Sequence, residues 1–159
     1  MKNKKLYNKG FTLLELLVVV AIIGIMAAVV VAALTSARSK GGDAGVKSNL
    51  RNAISQGEIF YNTNTVAINT YTSVCTNGPV GGALGIGAQV LAAAKANGYA
   101  SYATNTTGTL TTATCNDSAN AWAAEVPLKG AGANQMWCVD SAGKSKQEGV
   151  SIGAGTICN

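Results

Sequence analysis

Residues 9–20 read KGFTLLELLVVV, and the rest of the chain takes its meaning from this stretch. A Lys-Gly pair opens onto an apolar run, and Glu15 lies inside that run. From Leu16 to Leu34 there is no charged residue. As a helix that segment extends ~28 Å at ~1.5 Å per residue, about the thickness of a hydrocarbon core. A carboxylate at the centre of such a span costs roughly 2.5–3.5 kcal/mol on insertion scales, so Glu15 needs an offsetting role.

Outside this stretch the composition changes. The 159 residues are 48% hydrophobic and 12% charged, about half the usual charged share of roughly 25%. The apolar surplus sits in the run, while the remainder is rich in Gly, Ala, Thr, Asn and Ser. The length suits one domain. Of the formal charge of +5, four lysines (Lys2, Lys4, Lys5, Lys9) precede the run, and beyond them eight basic residues face seven acids. The basic cluster reads as a topology signal that holds the N-terminus in the cytoplasm. A nucleic-acid patch is the weaker reading, and the sequence offers no clear nucleic-acid site.

Cys75, Cys115, Cys138 and Cys158 all follow the apolar segment, at separations of 40, 23 and 20 residues. There is no CxxC and no histidine, which argues against zinc or any other metal site. An even cysteine count in a small exported domain predicts two disulfides. Three pairings are possible. Cys75–Cys115 with Cys138–Cys158 is favoured, because the second bridge ties a strand meander to the C-terminus.

Three readings compete for residues 1–34. The apolar run is too long for an ordinary secretory signal. A plain anchor suits the length but leaves Glu15 unexplained. The third places a cut between Gly10 and Phe11, so that the hydrophobic helix stays in the mature chain. The stretch KGFTLLELLVVVAIIGIMAA, residues 9–28, resembles the processing and assembly motif of type IV pilins and type II secretion pseudopilins. The likeness is close over residues 5–34 and weaker to about Tyr61. It implies removal of a leader, residues 1–10, by a membrane-embedded aspartyl peptidase, and methylation of the new Phe11 amine by the same machinery. It also implies a role for Glu15, whose carboxylate would meet the Phe11 amine of a neighbouring subunit during assembly. Such a pairing offsets burial of both charges when geometry and hydrogen bonding are good. The blander reading is that Glu15 snorkels to the headgroups.

The family implies further partners: other copies of the chain or related pilins in a helical filament, a pilus assembly platform, and the cytoplasmic membrane. The subunit would wait there as a single-pass protein with its head outside, then move into a cell-surface pilus. Many members carry a proline where this chain reads VVVAALTSA, and here none occurs before Pro79. Gly41, Gly42 and Gly45 instead predict local helix weakness, at roughly 1 kcal/mol each relative to alanine.

Val46, Leu50, Ile54, Gly57 and Tyr61 recur at helical spacing, so residues 11–61 read as one long helix. Residues 11–34 would form its membrane-spanning, filament-core part and residues 35–61 an amphipathic part. Gln89–Asn97 followed by Gly98 predicts a second helix with its cap. Alternation over residues 122–128 predicts a strand, which Pro127 marks as an edge. KGAGAN, QMWCVD and SAGK follow as turn, strand and turn into a third strand. The expected fold is α+β, a long helix packed on a small antiparallel head over residues 62–159, with each disulfide adding roughly 3–4 kcal/mol.

Several motifs carry little chemistry. GIGAQV from Gly85 lacks the third glycine of a dinucleotide fingerprint, so it reads as a loop entering a helix. Asn105 and Asn116 begin glycosylation sequons that read as polar loop. Lys144 and Lys146 read as a solvated turn before a basic tip. No nucleophile–base set or catalytic carboxylate pair can be assembled, and no enzyme or cofactor is expected. The leading expectation is a structural pilus subunit, with Gly24 and Ala28 as small residues that let apolar helices pack closely. The alternatives are a secretion pseudopilin, whose heads often use calcium, and a monomeric membrane-anchored surface binding domain. The cysteines, set against only Asp117, Glu125, Asp140 and Glu148 as acids beyond residue 61, favour a pilin.

Overall fold

The computed structural model describes residues 10–132 and 134–159; residues 1–9 of the expected leader lie outside the described residues. The chain divides into two compact units, Met1–Ala37 and Arg38–Asn159. Helix α1 (Leu13–Thr63, 51 residues) begins in the first unit and ends in the second. Within the first unit its side chains are exposed, Leu13 at 85% and Leu34 at 65%. Val18–Val20 and Val29–Val31 are poor helix formers in water, but a helix is the way a lone segment satisfies its backbone in a bilayer.

In the second unit α1 buries Asp43, Val46, Leu50, Ala53, Gly57 and Phe60, at alternating steps of three and four. That is one helical stripe. Full burial of Leu50 or Phe60 contributes roughly 1.5–3 kcal/mol each. Ile54 and Tyr61 border this stripe, partly buried against the core, while Ala53 and Phe60 lie at its centre. The helix ends where the Asn64 side chain accepts N–H bonds from Val66 and Ala67 and turns the chain away.

The glycines near residue 42 do not interrupt α1. A Cβ on Gly42 would overlap Asn97 Oδ1 and lie 2.9 Å from the Ala96 carbonyl, and one on Gly45 would lie 3.0 Å from Ala96 Cβ. These two positions are kept small by the helix packed on them, which corrects the expectation of a weak point.

That helix is α2 (Gly87–Ala96), with Asn97 as its C-cap. Gly98 takes φ +78°. Its N–H reaches the Lys95 carbonyl, and the Tyr99 N–H reaches that of Ala94, the bonding pattern of a left-handed glycine cap. A hairpin of β1 (Pro79–Val80) and β2 (Ala83–Leu84) precedes α2.

The main sheet has five strands in chain order: β3 (Ala103–Thr104), β4 (Thr114–Asp117), β5 (Trp122–Leu128), β6 (Gln135–Asp140) and β7 (Ser145–Glu148). β4 to β7 form an antiparallel meander, and β3 adds in parallel to β4. β5 is central and buried throughout, so Pro127 does not mark an edge strand. The proline is tolerated because β4 pairs only with residues 122–125, leaving Pro127 a neighbour on one side, Met136.

The sheet has two unlike faces. Trp122, Ala124, Val126, Trp137 and Val139 join the α1 stripe in the main core. Trp122 is fully buried, and a Cβ on Gly57 would come within 2.8 Å of its indole, so the glycine seats the ring. Ala123 and Cys138 pack on the other face against Ile152 and Cys158 of the C-terminal coil. Among the described residues no strand ladder holds that coil. Asn116 donates to the carbonyls of Gly153 and Gly155, the Ile152 N–H reaches Glu125, and the Cys158 N–H reaches Asp140.

Candidate functional site

Gly10 is exposed, and among the described residues nothing beyond its chain neighbours lies within 4 Å of a Cβ placed on it; Phe11 is 84% exposed. Thr12 and Glu15 bind each other reciprocally. Glu15 Oε2 accepts from the Thr12 N–H at 2.9 Å and from the Thr12 hydroxyl at 2.8 Å, while the Glu15 N–H donates to Thr12 Oγ1 at 3.2 Å. This is a capping box, with Thr at the N-cap and Glu three residues on. It satisfies two backbone donors that a helix start leaves without partners. Both bonds use Oε2, so Oε1 makes no hydrogen bond among the described residues.

The cap answers part of the question that Glu15 raises. Its signature, T-x-x-E ahead of an apolar run, is legible at residues 12–15. The bonds run through the Thr12 amide and hydroxyl, so they do not depend on the Phe11 amine. From Leu16 the helix carries only uncharged, exposed side chains as far as Ala37, and it is long and apolar enough to cross a membrane.

The cysteines are bonded as Cys75–Cys115 and Cys138–Cys158, with Cα separations of 5.7 and 5.9 Å, inside the span a disulfide bridges. Glu148 has a carboxylate oxygen within 4.8 Å of both Cys138 and Cys158 sulfurs. Those sulfurs are bonded to each other, so the trio has no thiolate to offer a metal. Lys144 donates to the Cys158 carbonyl at 2.9 Å and Lys146 pairs with Glu148 at 3.2 Å, so both serve the C-terminal region rather than a free tip. Asn105 exchanges hydrogen bonds with Asp117, and Asn116 is buried, so both sequon asparagines are engaged in the fold.

One important polar residue was not singled out from the sequence. Asp43 is 6% exposed, and its carboxylate accepts from Asn97 Nδ2 at 2.8 Å and from the N–H groups of Lys129 and Gly130 at 2.9 Å each. An aspartate between glycines on a helix gives no pattern that distinguishes it from a solvated one.

Residues 5–31 match the family model of the prokaryotic N-terminal methylation motif. A particular relative is the type IV wide pilus major component PilA4 of Thermus thermophilus, 45% identical over 65 residues. The aligned stretch is 41% of this chain and 47% of that protein, so the chain matches about half of its relative's length. No solved structure matches. Over those 65 residues the chain is similar to a type IV pilus component.

Proposed function

We propose that the protein is a structural subunit of an extracellular type IV pilus, cut after Gly10, methylated on Phe11 and polymerised through α1. The carrying observation is a single carboxylate, Glu15, heading an exposed apolar helix with half of its acceptor capacity unused. The cap explains why Glu15 is tolerated at the helix start. The free oxygen is available to the Phe11 amine of a neighbouring subunit, and the shared cap holds the carboxylate in place for it. The similarity to a pilus component supports this reading.

In this reading residues 1–10 form the leader, residues 11–61 the helix and residues 62–159 the head. The partners are other pilin copies, the peptidase that cuts and methylates, and the assembly platform. The protein would stand in the cytoplasmic membrane with its N-terminus inside before export into the filament. The intact mass of the mature protein tests the processing step. The expected mass starts at Phe11 and includes one methyl group; retention of Met1, or a cut near Ala37, would contradict the proposal.

A further inference from the structure

We propose that Arg38, Lys40, Lys47, Lys95 and Lys129 form a basic collar that docks the second unit onto anionic phospholipid headgroups at the outer face of the membrane. The inference rests on residues 11–34 spanning that membrane, and it adds a binding surface to that reading.

The acids and bases of the second unit are placed differently. From Arg38 to Asn159 there are eight Lys and Arg against six Asp and Glu. Four of those acids (Asp43, Glu125, Asp140 and Glu148) are buried, and none of the eight bases is. A contacting partner therefore meets far more positive side chains than the near-balanced sum implies.

Three elements deliver cations to the same turns of α1. Arg38, Lys40 and Lys47 lie on the helix itself. The last turn of α2 brings Lys95 and abuts Gly42 and Gly45 through Ala96 and Asn97. The β5–β6 turn brings Lys129, and a Cβ on its Gly130 would lie 3.2 Å from the backbone nitrogen of Lys40. Lys40, Lys47, Gly130 and Ala131 line a cavity of about 270 Å³ with Asp43 at its wall. Asp43 is buried there and already accepts from three uncharged donors. None of the five cations has an ion-pair partner among the described residues. Lys47 and Lys129 rest over the rings of Trp137 and Tyr99, at 4.8 and 5.4 Å from the ring centres.

The chain's connectivity selects the partner. Arg38 and Lys40 follow Leu34 by four and six residues. Even a fully extended chain keeps them within ~14 and ~21 Å of the end of the apolar span, and a helical one within ~6 and ~9 Å. The headgroup layer adds roughly 6 Å beyond the hydrocarbon, and attraction to an anionic surface decays over a Debye length of about 8 Å. A tethered ring of cations at this distance fits a charged bilayer plane. A nucleic-acid duplex would need a longer open track of phosphate contacts.

Full-length protein in nanodiscs of phosphatidylcholine, with and without phosphatidylglycerol, tests the collar by site-resolved labelling with a water-soluble amine reagent. Co-elution with the discs is measured alongside. Lys40, Lys95 and Lys129 are expected to react several-fold more slowly in the anionic discs, Lys144 and Lys146 equally in both, and high salt is expected to erase the difference. Arg38→Gln with Lys47→Gln, one exposed and one half-buried position, is expected to shrink the protection at the other three lysines. Equal labelling in both discs, with the protein retained, overturns the collar and leaves the span intact. Failure to enter either disc overturns the span and the collar with it. Protection of the same lysines by duplex DNA in lipid-free detergent, with no effect of phosphatidylglycerol, overturns the lipid partner in favour of nucleic acid.

Discussion

The side-chain amide of Asn97 donates to Asp43 at 2.8 Å and to the Pro127 carbonyl at 2.9 Å, so one buried amide joins α1, α2 and β5. Asp43 in turn holds the Lys129 and Gly130 N–H groups of the β5–β6 turn. Removing the carboxylate leaves three donors short of an acceptor, of which Asn97 keeps one alternative. Orphaned buried polar groups cost about 1–3 kcal/mol each. Asp43→Ala is expected to lose roughly 2–4 kcal/mol in urea denaturation of the detergent-solubilised protein, and Asp43→Asn about half of that because one oxygen still accepts. A change under ~0.5 kcal/mol for Asp43→Ala would remove Asp43 from its place as a structural centre.

Two glycines on the same helix should respond in opposite directions. Gly41 has open space where a Cβ would stand, so Gly41→Ala is expected to stabilise by up to ~1 kcal/mol through helix propensity. A Cβ on Gly57 would lie 2.8–3.0 Å from the Trp122 indole, and Gly57→Ala is expected to destabilise by roughly 1–3 kcal/mol through overpacking. Equal effects in a side-by-side denaturation series would contradict the seating of Trp122 on Gly57.

Much of this arrangement is legible in the sequence, for physical reasons. A carboxylate in an apolar run is rare, so residues 9–20 speak clearly. Gly98 marks the end of α2 because a left-handed cap favours glycine, and alternation marks β5 because a strand has period two. The contacts of the glycines at 42 and 45 are not legible, since a residue kept small for a packed neighbour looks like one that weakens a helix. β3 is two residues long, too short for any pattern. The C-terminal coil is fastened by single side chains, and a fastening of that kind has no periodicity to read.

Glu125 gives a pH test. It is fully buried, and burial pushes its carboxyl above the usual range, against the weaker downward pull of Ser151 and the Ile152 N–H. The unfolded chain titrates near about 4.3. Between that value and the raised native one, the folded protein binds more protons than the unfolded one, so this group's contribution falls as pH rises. The melting temperature of wild type minus that of Glu125→Gln is expected to grow as pH drops from neutral through the native pKa, and to level off below the unfolded value. A difference independent of pH would contradict the burial of an ionisable Glu125.

The two disulfides close loops of 40 and 20 residues, worth about 4 and about 3 kcal/mol in the loop-entropy model. Alkylation without reductant is expected to label no cysteine. Cys138→Ser with Cys158→Ser is expected to lower stability by about 3 kcal/mol and to raise hydrogen exchange in residues 149–159 ahead of α1. Uniform loosening of both would show that the coil is part of the main core.

If Glu15 supplies a counter-charge for assembly as well as a helix cap, Glu15→Gln separates the two roles. Glutamine at the same place still closes a capping box but carries no charge. Removing one partner of a buried ion pair costs roughly 3–5 kcal/mol, enough to stop polymerisation. The decisive measurement is the yield of sheared filaments from cells making the Glu15→Gln protein, with cleavage after Gly10 checked by mass. Processed protein is expected to accumulate in the membrane without filaments. Filaments at the wild-type level would contradict it and leave Glu15 with the cap alone.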